Sequence, residues 1–181
     1  MRAAQIHLKH ATFMCHPLAK TPYLFSRSVI RQFTADFSPD LISLMQEQDP
    51  LHIIQVNKKS YQFFSGWYWL PYCRENNLEK ISVIKHSINT NEYIEKRAWS
   101  YLLSNELKSS HRDVGLAQMD QLMTKIPKVL RKELLGKLYR PSTGKIVELL
   151  AAETRAAVRN QRRKMGPPKA HTTILEKLIG E

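Results

Sequence analysis

Cysteines, long apolar runs and acidic residues are all scarce in this chain of 181 residues. Two cysteines, Cys15 and Cys73, cannot build the disulfide framework that small secreted domains need, which favours a reducing, cytoplasmic setting. No run approaches the roughly 20 apolar residues of a membrane-spanning helix, and polar residues and Pro17 interrupt the opening segment where a signal peptide would lie. These absences predict a soluble protein without a membrane partner.

The shortage of acidic residues leaves the chain strongly basic. It has 28 Lys and Arg against 16 Asp and Glu, which gives a formal net charge of +12. The charge is uneven, because residues 1–108 have an excess of +4 and residues 109–181 an excess of +8. The net positive charge favours a polyanionic partner. Nucleic acid is the leading candidate, and DNA is favoured over RNA. Solvated helix faces and an acidic protein partner are the alternatives.

Residues 1–108 have the pattern of a mixed α/β core. Ser38 can accept the free amide donors of a helix start, and Pro39 suits the first helical position. The residues before this point indicate only short extended pieces and turns. The expected elements are a helix over 39–48, strands around 53–56, 61–64 and 81–84, a short helix within 67–77 and a long helix over 91–107.

A polar cluster at 109–113 separates this core from a remainder with a helical pattern. We therefore expect a domain division at about residue 109, with a basic helical region over 109–181. The helices expected in it lie over 114–124, 127–135 and 145–164. Three helices in this order, the last one basic, are compatible with a helix-turn-helix unit whose third helix approaches the major groove of DNA.

The core pattern also matches the order of elements in a known family. A helix leads into a Pro-containing entry, two strands, a Gly-containing turn that opens a helix, another strand and a longer helix. The residues at the matching places are Pro50-Leu51, Val56, Tyr61, Ser65-Gly66 and Ile81-Ser82-Val83-Ile84. This order, over about seventy residues from Ser38 to Leu107, resembles the ParB/sulfiredoxin-like family and in particular its ParB-like N-terminal domain. The resemblance implies an α+β fold with a small mixed sheet, and it alone implies homo-oligomers.

The residues that carry that family's chemistry are altered in this chain. Members that bind a nucleotide have a Gly followed by Arg residues, and sulfiredoxin-like members have a reactive Cys directly after the Gly. This chain has Gly66-Trp67-Tyr68-Trp69 instead, and the Glu-Asn-containing phosphate motif is not preserved around 92–97. Peroxiredoxin repair is therefore not carried over, and no cofactor is predicted. Gly66, Trp67 and Trp69 remain a candidate pocket, with core packing of the rings favoured.

The sequence predicts no catalytic group and no metal site. The available carboxylates have no compact metal signature, and they are Asp49, Glu75, Glu79, Glu92 and Glu95. The N-terminal imidazole and thiol groups lack the paired spacing of a zinc finger, and they are His7, His10, Cys15 and His16.

The strongest binding signal is the basic helix expected over 145–164, where arginines recur at helical spacing. The predicted phosphate contacts are Arg155, Arg159, Arg162, Arg163 and Lys164, with a secondary patch of Lys128, Arg131 and Lys132. The sequence thus predicts a non-catalytic DNA-binding or DNA-associated regulatory protein. The alternatives are a divergent ParB-like nuclease or nucleotide-dependent switch near Gly66, and a protein-interaction adaptor.

Overall fold

The computed structural model describes residues 1–28, 38–87, 90–108 and 115–136, together with Asn160 and Arg163. Its strands are β1 (Arg2–His7), β2 (Thr12–Cys15), β3 (Leu51–Gln55), β4 (Ser60–Ser65) and β5 (Lys80–His86). Its helices are α1 (Lys20–Ser28), α2 (Pro39–Gln48), α3 (Trp69–Glu75), α4 (Asn91–Lys108), α5 (Gly115–Lys125) and α6 (Lys128–Leu135).

The described strands form one mixed sheet in the order β1-β5-β3-β4-β2. The neighbours β3 and β5 are parallel, with Leu51 opposite Val83 and Ile54 opposite His86. Strand β4 returns antiparallel to β3, β1 runs antiparallel to β5, and β2 runs parallel to β4. The predicted α+β class with a small mixed sheet is confirmed.

Local sequence signals explain the boundaries in the middle of the chain. The Ser38 hydroxyl accepts a hydrogen bond from the Leu41 amide at 3.3 Å, which caps the start of α2. The Asn57 side-chain oxygen accepts from the amides of Lys59 at 3.0 Å and Ser60 at 2.9 Å, which closes the turn between β3 and β4. The predicted first helix and the hairpin that follows it are confirmed.

Helices pack on both faces of the sheet. Successive residues of a strand point to opposite faces, so Phe63 and Phe64 of β4 mark the two sides. Tyr23 of α1 contacts Phe63 with ring centroids 5.1 Å apart, and Tyr93 of α4 contacts Phe64 at 6.3 Å. The sheet therefore divides the core, with α1 against one face and α4 against the other.

The N-terminal segment contains more regular structure than the sequence predicts. The expected extended pieces are β1 and β2, but helix α1 is absent from the prediction. Both strands pair with strands far along the chain, since Ile6 lies opposite Ile81 and Phe13 opposite Tyr61. Long-range pairing rather than local pattern therefore defines this segment.

The chain divides into two compact units, Met1–Asn105 and Glu106–Glu181. The first unit contains the sheet. In the described part of the second unit, α5, α6 and their connection bury an apolar set made of Met119, Leu122, Met123, Ile126 and Leu130. No helix within the described ranges is long and apolar enough to span a bilayer.

Candidate functional site

A pair of buried histidines lies where the two parallel central strands meet α4. His52 is the second residue of β3 and His86 is the last residue of β5. The register places both rings on one face of the sheet, because His52 lies opposite Ile84 and His86 opposite Ile54. The Nδ1 atom of His52 is 2.9 Å from Nε2 of His86, and the two residues are only 6% and 5% exposed.

Arg97 of α4 determines which ring nitrogen of each histidine carries the proton. Its Nη2 atom lies 3.2 Å from Nε2 of His52, and a guanidinium group can only donate hydrogen bonds. Nε2 of His52 therefore accepts, and Nδ1 of His52 carries the ring proton and donates to Nε2 of His86. The proton of His86 is thereby left on its Nδ1. We call His52, His86 and Arg97 the histidine cluster.

The environment of His52 keeps its ring neutral. Burial, then the positive charge of Arg97 and the electrostatic interaction with His86, lower the pKa of His52 to about 4. Both ring nitrogens of His52 are already hydrogen-bonded, so neither offers a free lone pair that could take a proton from a substrate. In this arrangement the cluster joins α4 to the sheet and does not supply a general base.

One helical turn further along α4, Tyr101 makes a second polar contact near the start of β3. Its hydroxyl donates to the Asp49 carboxylate at 2.5 Å, and its ring lies 4.8 Å from Trp67 and 5.4 Å from Tyr68. Burial, followed by the negative charge of Asp49, raises the pKa of Tyr101 far above its usual range. The phenol therefore stays a neutral donor. We call Asp49, Trp67, Tyr68 and Tyr101 the aromatic anchor.

Protein atoms fill the region of the candidate pocket at Gly66. Gly66 has φ +74°, and a Cβ atom there would lie 2.0 Å from the Pro50 carbonyl oxygen, so the two backbone segments meet at a distance that only glycine allows. Trp67 is 1% exposed, and its indole nitrogen donates to the Ser26 hydroxyl at 2.9 Å. Trp69 is also buried. These rings contribute to core packing, as the favoured alternative for them expects.

The thiols and the N-terminal imidazoles do not assemble into a reactive centre. Burial raises the pKa of Cys15 to about 12 and that of Cys73 to about 11, so both thiols are protonated and weakly nucleophilic. His7 lies 3.1 Å from Glu79. Within the described residues, no group of three or more His, Cys, Asp or Glu side chains is placed to hold a metal ion.

The structure describes part of the predicted basic surface. Lys128 and Lys132 are exposed on α6, and Arg163 is helical and exposed. Arg131 differs from them, because its Nη1 donates to the Met123 carbonyl at 2.5 Å and its Nε is buried without a hydrogen-bond partner. Its guanidinium thus ties α6 to α5. The remaining predicted phosphate contacts lie outside the described residues, and they are Arg155, Arg159, Arg162 and Lys164.

The histidine cluster is not evident from the sequence. His52 and His86 are 34 residues apart, and a third strand separates them along the chain. The one indication in the sequence is that each of two apolar strands contains a histidine. A buried imidazole needs a hydrogen-bond partner, so the two histidines are candidates to bond to each other. The partner becomes identifiable only when β3 and β5 are known to be neighbours.

Comparisons with known proteins find only distant similarity. No family model and no curated protein matches the chain. One similar solved structure is the C-terminally truncated chromosome-partitioning protein ParB from Caulobacter crescentus, complexed with CTP-gamma-S. It aligns over 93% of this chain and 81% of that chain, with 11% sequence identity and a TM-score of 0.32. Nothing about the ligands or partners of this chain follows from a similarity at that level.

Proposed function

We propose that this chain is a non-catalytic, DNA-associated regulatory protein that contacts the phosphate backbone through its basic helical region. The observation that carries the proposal is the excess of 15 Lys and Arg over 7 Asp and Glu in residues 109–181. The described cations there support it, because Lys125, Lys128, Lys132 and Arg163 are all exposed. Exposed cations displace the counterions of a nucleic acid and so favour binding.

The arrangement on α6 fits backbone contacts better than base recognition. Lys128 and Lys132 are four residues apart and thus lie on the same side of the helix. Lysine binds phosphate as a flexible point charge, whereas base recognition relies more on bidentate side chains such as arginine. In this proposal α5 and α6 are the first two helices of a helix-turn-helix unit, and the helix predicted over 145–164 is the third.

The test is the salt dependence of binding to a DNA duplex. Replacing Arg155, Arg159, Arg162, Arg163 and Lys164 by glutamine should weaken binding and reduce the slope of log affinity against log salt, by about 0.9 for each phosphate that is no longer neutralised. The wild type and this variant are compared by fluorescence anisotropy over rising salt. Equal weak binding with equal slopes would reject this surface.

A matched pair of double variants separates the basic helical region from general charge. Lys128→Gln with Lys132→Gln removes two exposed charges from α6, and Lys58→Gln with Lys59→Gln removes two exposed charges from the β3–β4 turn. Only the first pair should reduce the salt slope, because only these lysines belong to the proposed surface. An equal reduction in both pairs would indicate non-specific attraction by net charge.

The two alternatives predict different results. A protein-interaction adaptor would copurify with an acidic protein after nuclease treatment, and its affinity for duplex DNA would not respond to the glutamine substitutions. A nucleotide-dependent switch or nuclease would need an open polar site near Gly66. In the part of the chain that the structure describes, the Pro50 carbonyl and the buried Trp67 ring fill that place, and no observation there favours this alternative.

A further inference from the structure

A directed chain of hydrogen bonds runs from the surface into the core. Arg97 is exposed, yet its guanidinium donates to Nε2 of His52, and Nδ1 of His52 donates to Nε2 of the buried His86. Each acceptor in this chain is the lone pair of a neutral imidazole. The donors and acceptors in this series of hydrogen bonds are therefore fixed, because Arg97 can only donate.

A proton added to either histidine disrupts the hydrogen bond between Arg97 and His52. On Nε2 of His52, it would place an imidazolium against the guanidinium of Arg97, with two donors and two positive charges facing each other. On Nε2 of His86, it would force Nδ1 of His52 to become an acceptor, which moves the proton of His52 to Nε2 and again turns a donor towards Arg97. In both cases the hydrogen bond between α4 and β3 is broken.

The charges that act on His52 do not favour an added proton. The positive guanidinium of Arg97 lowers the pKa of His52, and so does the electrostatic interaction with His86. Aromatic rings also face the pair: Phe64 of β4 lies 6.0 Å from the His52 ring and 5.1 Å from the His86 ring, and Tyr93 of α4 lies 6.0 Å from the His86 ring. The carboxylate of Asp49, just before β3, is hydrogen-bonded to Tyr101.

We propose that the histidine cluster is a pH-sensitive switch in which protonation of the imidazole pair releases Arg97 and loosens the first turns of α4 from β3 and β5. Arg97 is exposed, so its side chain can turn into solvent after release. The Tyr101 contact with Asp49 does not depend on the imidazoles, and it keeps the later turns of α4 in place. The change is thus confined to one half of the helix.

The response lies between two limits of pH. In the closed arrangement burial and neighbouring charge hold the pKa of His52 at about 4, whereas a solvated imidazole titrates at its ordinary value of 6.5. Between these values the open form binds a proton that the closed form rejects. Acidification from about pH 7 to about pH 5 should therefore raise the population of the open form about tenfold to thirtyfold.

Hydrogen–deuterium exchange on the full chain tests this proposal. Amides in the first turns of α4 should lose protection by about tenfold or more between about pH 7 and about pH 5, after correction for the intrinsic pH dependence of exchange. Amides around Tyr101 should change much less. Unchanged protection in the first turns would overturn the proposal, as would an equal loss along the whole helix.

Three variants assign the effect to the cluster. His52→Gln should abolish the pH dependence, and His10→Gln, which removes an exposed histidine elsewhere, should leave it intact. Arg97→Gln is the second route if His52→Gln does not fold, because its side chain is exposed. It should make the first turns of α4 equally labile at both pH values. A pH dependence that persists unchanged in the His52 or Arg97 variants contradicts the mechanism.

Discussion

Helix α4 meets the start of β3 at two places, and different interactions hold the two contacts. The aromatic anchor combines packed rings with a hydrogen bond from Tyr101, whose raised pKa keeps it a donor. The histidine cluster depends on neutral imidazoles that accept hydrogen bonds, so an added proton would turn an acceptor nitrogen into a donor. One turn of helix therefore separates a contact that contains no imidazole from one that depends on two.

The largest expected effect concerns the backbone beneath the aromatic anchor. Gly66→Ala would place a Cβ 2.0 Å from the Pro50 carbonyl oxygen on a left-handed backbone, and should destabilise the first unit by about 3 kcal/mol or more. Urea unfolding followed by tryptophan fluorescence measures this change, because Trp67, Trp69 and Trp99 all lie in that unit.

Gly136→Ala is the matched control for this substitution. Gly136 also has a positive φ, but a Cβ there would meet nothing within 4 Å, so only the backbone conformation is strained. Its expected destabilisation is about 1–2 kcal/mol. This loss is measured by circular dichroism, because the tryptophans lie in the other unit. Equal losses of stability at the two glycines would show that the close approach to Pro50 is unimportant.

A smaller effect is expected from the polar part of the aromatic anchor. Tyr101→Phe keeps the ring and removes the donor to Asp49, which leaves a half-buried carboxylate with one hydrogen bond fewer, and should cost about 2 kcal/mol. The double variant with Asp49→Asn should recover part of this stability, since the charge that needs the donor is then gone. A double variant no more stable than Tyr101→Phe would argue against an interaction between the two side chains.

The same two contacts show what can be predicted from the sequence. Helix α4 follows from the four-residue spacing of Ile94, Ala98 and Leu102, all of which are buried, because local periodicity and packing agree there. The histidine cluster does not follow, because it depends on the pairing of β3 with β5, which are not consecutive in the chain. Long-range pairing likewise sets the register of β1 and β2.

An effect of similar size is expected from the pH dependence of stability that the histidine cluster creates. His52 has a pKa of about 4 in the folded chain and about 6.5 when unfolded, so between these values the unfolded state binds more protons and stability falls as the pH falls. Above that range His52 is neutral in both states, so it no longer makes stability depend on pH. The first unit should therefore lose about 2 kcal/mol between about pH 7 and about pH 5.

Two variants relate this pH term to the comparison between the contacts. Tyr101→Phe should be less stable at both pH values but keep the difference between them, because the imidazole that creates the difference is not part of the aromatic anchor. His52→Gln should remove most of the difference, with the remainder coming from His16, whose pKa is also lowered by burial. If instead Tyr101→Phe removes the pH dependence and His52→Gln preserves it, then the aromatic anchor is the acid-sensitive contact and the roles assigned to the two turns of α4 are reversed.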